Sequence, residues 1–267
     1  MGAGKNYKQL KKHINNLKII NRKSLNKDFF LLDLSVPHTI NEILPGQFVE
    51  VLIENSAKTF LRRPFSIHDI DYEKQTLSLL IQIVGDGTLE LSKRKSGEYL
   101  NLIYPLGNSF SEPINEKTLL IGGGAGIAPL LFLAKHLNRI HHKFSVLLGA
   151  RSENYLVRLE EFKKFAEVFI ATEDGSLGEK VLITNHSILI QDKISFDKII
   201  TCGPKPMMKA VANIASDQNI DCEVSLENTM ACGIGACLCC VEETKHGNLC
   251  VCIDGPVFNV KDLKWLI

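Results

Sequence analysis

The chain carries almost no net charge. Its 31 Lys and Arg stand against 30 Asp and Glu over 267 residues, a formal +1 at pH 7, so no general field gathers nucleic acid. It also lacks an unbroken apolar run. The longest stretch without a charge, residues 118–134, nears the ~20 residues of a membrane span, but Gly122, Gly123, Gly124, Gly126 and Pro129 interrupt it. Residues 1–20 hold lysines and no apolar core of about seven to fifteen residues, which argues against a secretory signal. The expectation is a cytoplasmic protein that uses neither membrane nor nucleic acid. The eight histidines, at 13, 38, 68, 136, 141, 142, 186 and 246, fall in no metal-ligand spacing, and no Ser, His, Asp nucleophile arrangement can be argued. Internal repeats and low-complexity segments are absent too.

What is present is enough apolar material, 45% of residues, for two compact domains and a small lobe. Charge is uneven along the chain. Residues 1–27 contain eight Lys or Arg and no acid, leaving 31 − 8 = 23 basic against 30 acidic residues afterwards; a solvated basic tail (1–14) running into an edge strand accounts for this. From 15 to 112, short alternating segments at 29–36, 47–53, 65–67 and 76–84 are broken by turn residues, with one helix expected near 88–95, which is the pattern of an antiparallel β-barrel. From 113 to 220 the pattern becomes strand, loop and helix: apolar runs at 118–121, 144–148, 168–171 and 198–202, helices at 128–137, 154–166 and 206–216. That alternation predicts a doubly wound parallel sheet. Residues 221–267 are too few for a core of their own.

This last region holds Cys232, Cys237, Cys240 and Cys252 in the order C-x4-C-x2-C-x11-C. The first three follow the plant-type [2Fe–2S] run, in which a glycine-bearing loop wraps the cluster and a distal cysteine completes four thiolates. Gly233 and Gly235 allow that loop to curl close to sulfide. A structural zinc site is the competing reading, although zinc knuckles usually come as two tight pairs and only one is tight here. Cys239 and Cys250 are additional thiols. If 250–252 is extended, Cys250 and Cys252 face the same side, and periodicity cannot choose between them.

Two glycine loops suggest a dinucleotide cleft. The run at 118–121 leads into Gly122-Gly-Gly-Ala-Gly-Ile-Ala-Pro129, where glycines let backbone approach a pyrophosphate and a helix start offers free N–H groups. The order departs from G-x-G-x-x-G. A second loop, Cys202-Gly-Pro-Lys-Pro-Met207, follows another parallel strand, and ligands sit where such strand ends converge. Gly122, Gly123, Gly124, Gly126, Cys202, Gly203 and Pro204 are the candidate NAD-binding residues. Arg151 after the second strand could reach a 2′-phosphate or face water. In the first region, Arg62 and Arg63 precede Pro64-Phe-Ser66, but neighbours on a strand point opposite ways, so both cannot be assumed to grip one ligand.

Taken in order, Arg63-Pro-Phe-Ser66, the 122–129 loop, Cys202-Gly-Pro-Lys-Pro-Met, Met230-Ala-Cys-Gly-Ile-Gly-Ala-Cys and Val251-Cys-Ile-Asp-Gly-Pro-Val-Phe258 resemble the electron-transfer subunits of class B dihydroorotate dehydrogenase, within the ferredoxin reductase-type flavoproteins. The resemblance implies an FAD-binding β-barrel, an NAD-binding domain and a C-terminal [2Fe–2S] lobe. It implies that Arg63, Pro64, Phe65 and Ser66 contact FAD, that Leu80, Ile81 and Gln82 lie along it, and that Gly87 and Thr88 hold its diphosphate. It selects Cys252 as the fourth cluster ligand. It also implies an FMN-containing partner that oxidises dihydroorotate in pyrimidine biosynthesis, within a heterotetramer, while this chain relays electrons through the cluster and FAD to NAD⁺. No general base is expected in this chain. A ferredoxin- or sulfide-linked NAD(P)H reductase subunit and a zinc-stabilised nucleotide-binding module are the alternatives.

Overall fold

A computed structural model describes residues 11–37, 43–54 and 58–265; the expected basic tail at 1–14 lies largely outside them. Strands β1 (His13–Ser24), β2 (Phe29–Ser35), β3 (Phe48–Val51), β4 (Arg63–Ser66), β5 (Asp69–Asp71) and β6 (Thr76–Gln82), helix α1 (Asp86–Ser92) and strand β7 (Tyr99–Leu106) build the first domain. The strands form one antiparallel sheet in the order β4-β3-β7-β1-β2-β6-β5. It curls so that Phe30, Leu32 and Leu34 of β2 and Leu77, Leu79 and Ile81 of β6 meet in one core. The intervening Phe29, Leu31 and Leu80 face outward and are buried all the same, because the second domain covers them. β1 begins at His13, within the stretch assigned to the tail, and its exposed polar residues hide a strand whose inward side chains are Leu17 and Ile19.

The second domain continues with β8 (Thr118–Gly123), α2 (Ile127–Arg139), β9 (Phe144–Ala150), α3 (Leu159–Phe162), β10 (Glu167–Thr172), β11 (Lys198–Cys202), α4 (Lys205–Asp217) and β12 (Asp221–Ser225). The helix expected over 154–166 is only the single turn α3, because Arg158 before it adopts a left-handed φ of 68°. After the cluster loop come the hairpin β13 (Val241–Thr244) and β14 (Gly247–Cys250), helix α5 (Val251–Asp254) and strand β15 (Val257–Asn259). The second sheet runs β10-β9-β8-β11-β12-β15, parallel except for β15, which is antiparallel to β12.

β12 therefore belongs to the doubly wound sheet, although its residues were grouped with the lobe from sequence. Its two acids conceal a buried strand: Lys198 on β11, 4% exposed, extends its ammonium to Asp221 at 2.8 Å and Glu223 at 3.3 Å. The lobe shares a core with the sheet, since Met230, Cys240, Cys252, Leu263 and Trp265 pack with Val211 of α4 and Cys222 and Val224 of β12. Among the described residues no helix is long and apolar enough to cross a membrane.

Candidate functional site

β8 and β11 pair at the centre of the sheet, with Gly122 opposite Cys202. Strand order reverses there, so both loops leave the same edge on either side of a crevice. The crevice has a volume of about 560 Å³, within the range of cofactor sites. Of the candidate residues, Gly123, Gly124, Gly126 and Pro204 line it; Gly122, Cys202 and Gly203 stand behind the surface. Gly122 is a packing glycine, since a Cβ there would come to 3.0 Å from Ile127 and Leu130 of α2. Gly126 lets the start of α2 abut the backbone of Cys202 and Gly203, where a Cβ would overlap the Cys202 carbonyl. Gly124 supplies the turn, with φ at +56°.

The far wall was not visible in the sequence. Asp28, Phe29 and Gln82 reach the same crevice from the barrel, and the Tyr155 hydroxyl donates to the Asp28 carboxylate at 2.5 Å, fastening the two domains at its rim. Arg151 and Glu173 line it as well. Glu227, exposed to solvent, also lines it, with its carboxylate 3.8 Å from the Cys202 thiol. Crowding by protein raises the Glu227 carboxyl, and burial with the neighbouring Glu227 raises Cys202 well above an ordinary thiol. Cys202 is thus a neutral thiol at physiological pH.

On the barrel side, all four residues of β4 are half-buried along an open strand surface. The two arginines separate as strand alternation requires. Arg62 turns inward and donates to the carbonyls of Glu50 and Asn101 at 3.2 and 3.1 Å and to the Asn101 side chain. Arg63 extends towards the start of α1, where its Nε lies 3.6 Å from the place a Gly87 Cβ would occupy. The Thr88 hydroxyl accepts from the amides of Val84 and Gly85, which holds that helix start in shape. On β6, Ile81 points into the barrel core and Leu80 into the domain seam, so only Gln82 presents its side chain to the crevice. Just beyond β4, His68 is fully buried and donates from Nδ1 to the Ala128 carbonyl at 2.8 Å, joining the end of β4 to the first turn of α2. Burial pushes its pKa down to about 3.

The cysteine loop folds against both domains. Gly233, Gly235 and Leu238 take positive φ values of 67°, 79° and 57°, and amides turn toward sulfur: Ile234 N to Cys232 at 3.5 Å, Cys239 N to Cys237 at 3.5 Å, Gly235 N to Cys252 at 3.2 Å and Cys252 N to Cys240 at 3.3 Å. Such N–H···S contacts suit a thiolate-held iron–sulfur cluster, whose potential they help set. Burial opposes ionisation at Cys232, yet the amides of Ile234, Cys237 and Ala236 bring its thiol down to about 6; burial and the hydrogen bond with Cys240 push Cys252 up to about 12. The distal pair is separated by a change of backbone. Cys250 ends β14 and Cys252 lies in α5, so they do not share a strand face, and the Cys252 sulfur accepts the Gly235 amide of the loop. Among the described residues, no three His, Cys, Asp or Glu side chains gather around one point as a single metal ion requires.

The profile of the iron-sulfur cluster binding domain of dihydroorotate dehydrogenase B matches residues 227–264, and that of the oxidoreductase NAD-binding domain matches 120–213. A Caldanaerobacter subterraneus protein named dihydroorotate dehydrogenase B (NAD(+)), electron transfer subunit, is 44% identical over 80% of this chain and 84% of its own length. A Fusobacterium nucleatum protein of the same name is 39% identical over 82% and 86%. A solved structure of an NADH-dependent reduced ferredoxin-NADP oxidoreductase superposes with a TM-score of 0.83 at 31% identity, covering 93% of this chain and 90% of the other. A ferredoxin reductase of carbazole 1,9a-dioxygenase shares the fold, with a TM-score of 0.68 at 23% identity over 79% and 68%.

Proposed function

The chain belongs to the family of electron-transfer subunits of NAD-dependent dihydroorotate dehydrogenase B, and from that membership we propose which of its residues carry the relay. Its function is to pass electrons between a catalytic partner subunit and NAD through an iron–sulfur centre and FAD, in pyrimidine biosynthesis. Bound FAD supplies the exchange between hydride pairs and the single electrons that a [2Fe–2S] centre handles.

Arg63 and the amides at the start of α1 hold the flavin diphosphate, Pro64, Phe65 and Ser66 form the bed for the ring, and the β6 backbone with Gln82 runs along it. Gly123, Gly124 and Gly126 let the NAD pyrophosphate approach the start of α2, and Pro204 shapes the opposite side of the crevice. Gly122, Cys202 and Gly203 keep the two loops at that spacing from behind. Cys232, Cys237, Cys240 and Cys252 hold the cluster. The observation that carries this reading is the seating of the loop: Gly233 packs directly on β3, the strand paired with β4. A centre held there lies beside the flavin strand, while Ile234, Leu238 and Ile253, 49%, 64% and 46% exposed, form an apolar rim on its outer side. That rim favours a docked partner. We further infer that the partner contains FMN and that two copies of each chain assemble. We place the working divisions near residues 15, 113 and 226, with β15 returning to the second sheet.

The test is copurification with the natural partner. The complex should contain about two iron and two sulfide per copy of this chain, and dihydroorotate should reduce NAD⁺ only when both chains are present. A second reading, a ferredoxin-linked oxidoreductase, draws on the 31% identical structure. Ferredoxin reduction by NADH without orotate chemistry would favour it, and a colourless protein containing zinc would refute both.

A further inference from the structure

Strand β3 alternates. Val49 and Val51 enter the barrel core, whereas Phe48 and Glu50 face the opposite way, towards the second domain and the lobe. Glu50 has no exposed surface, and among the described residues neither of its carboxylate oxygens has a hydrogen-bond partner. A buried carboxyl left without partners is costly to keep, so a chain that keeps one invites an explanation beyond packing. What it touches is specific. A Cβ on Gly233 would come to 2.6 Å from Glu50 Cγ and 3.2 Å from Oε1, and to 3.0 Å from Leu106. The carboxyl is thus pressed against the residue that follows Cys232. On its other side Glu50 pairs through the backbone with Pro64 of the flavin motif. Burial raises the Glu50 carboxyl to about 7, with Arg62 only partly offsetting it, so it is ionised in alkaline solution; the hydrogen bonds of Arg62 go to the Glu50 carbonyl and to Asn101, leaving the carboxyl facing the loop.

We propose that Glu50 is a positioning residue of the relay, whose side chain sets the seat of the cluster loop against the flavin strand and whose negative charge lowers the reduction potential of the centre held there. The inference rests on the cluster reading above. Its sign follows from electrostatics. Reduction adds an electron to the centre, and a carboxylate nearby in a water-poor seam opposes that addition; net charge and hydrogen bonding are among the quantities that set cluster potentials. The side chain's volume does the seating, and its charge does the tuning. The two parts separate by substitution.

Glu50→Gln keeps the volume and removes the charge; Glu50→Asp keeps the charge and shortens the reach. Glu243→Gln, on the exposed hairpin and salt-bridged to Lys264, is the control for a solvent-exposed charge of the lobe. In the full complex at pH 8.5, with iron and sulfide content measured first, potentiometric titration followed by electron paramagnetic resonance reads the cluster midpoint. Glu50→Gln should hold iron at the wild-type level and show a more positive midpoint. Glu50→Asp should keep the midpoint close to wild type while losing part of its iron on gel filtration. A Glu50→Gln midpoint indistinguishable from those of wild type and Glu243→Gln would overturn the proposal, as would a Glu50→Gln protein that fails to hold iron, which would leave Glu50 a folding residue only. Wild-type complex purified without iron and sulfide would instead refute the cluster reading on which the proposal stands.

Discussion

At the scale of single residues, the thiol pair Cys250 and Cys252 shows how much a backbone change can decide. Two residues apart, they would project to one side of an extended strand, and the sequence alone leaves them equivalent. In the structure β14 stops at Cys250 and a helical turn begins at Val251. The Cys252 sulfur accepts the Gly235 amide of the loop, while the Cys250 amide donates to Asp254 at 2.7 Å; both side chains pack in the core that joins the lobe to the sheet. Cys252→Ser should abolish the visible absorption of the cluster, and Cys250→Ser should retain it with a modest loss of stability. Absorption from 400 to 600 nm of anaerobically purified variants, about two iron per chain being full occupancy, distinguishes them. The opposite pattern would exchange the roles of the two thiols.

At the scale of elements, the glycines around the β8 to α2 turn separate into conformational and spatial needs. Gly126 has φ of −62°, which any residue adopts, so its constraint is room against the Cys202 carbonyl. Gly124 has φ of +56° and open space around its missing Cβ. Gly126→Ala should push α2 from β11, destabilise by about 1 to 3 kcal/mol as overpacking does, and weaken NADH binding. Gly124→Ala should cost only the ~1 kcal/mol of a left-handed non-glycine residue. Urea denaturation with NADH titration by fluorescence checks the pair. A second link, His68 to the Ala128 carbonyl, carries a pH signature. The unfolded chain takes a proton on this imidazole below about pH 6.5, whereas the folded chain, with the pKa pushed down to about 3, does not. Stability should therefore be intact above pH 6.5 and fall towards pH 3 by about 1.4 kcal/mol per pH unit. His68→Leu should be weaker at pH 8 by about 1 to 3 kcal/mol for the unpaired carbonyl, with a shallower decline between pH 6.5 and 5. Equal slopes in the two proteins would remove His68 as the cause.

These elements also show what the sequence could and could not express. The parallel strands at 118–123 and 198–202, the helices at 127–139 and 205–217, and the glycine loops between them were legible because local turn chemistry and apolar runs mark them directly. β12 was not, because Asp221 and Glu223 are paired by Lys198, 23 and 25 residues away. Nor were Asp28, Tyr155, His68 and Glu50, whose partners are set by how the domains fold together. Residues 29–32 read as an unbroken apolar run because both faces of β2 are covered, each by a different domain.

At the scale of the whole molecule, the three apolar cores among the described residues do not coincide with the three regions of sequence. One core joins the cluster lobe to α4 and to one face of the second sheet, with Phe48 and Leu106 from the barrel at its edge. A second packs α2 and the other face of that sheet against Phe29, Leu31 and Leu80 of the barrel. The third fills the barrel and contains no residue of the lobe. Removal of iron leaves buried thiols without their central partner, and metal binding and folding are coupled in sites built this way. The disturbance should travel where apolar contact is continuous. Anaerobic chelation should therefore speed amide exchange about tenfold or more, a local loss of ~1.4 kcal/mol, in the cluster loop, β13 to β15, β12 and α4. Protection in β1, β2 and β6 should remain. Hydrogen-exchange mass spectrometry of loaded and stripped protein reads this directly. If the barrel strands lost protection together with β12, cluster and barrel would be one cooperative unit, and the contact of Gly233 with β3 would have to carry far more of the fold's stability than one buried carboxyl and one leucine suggest.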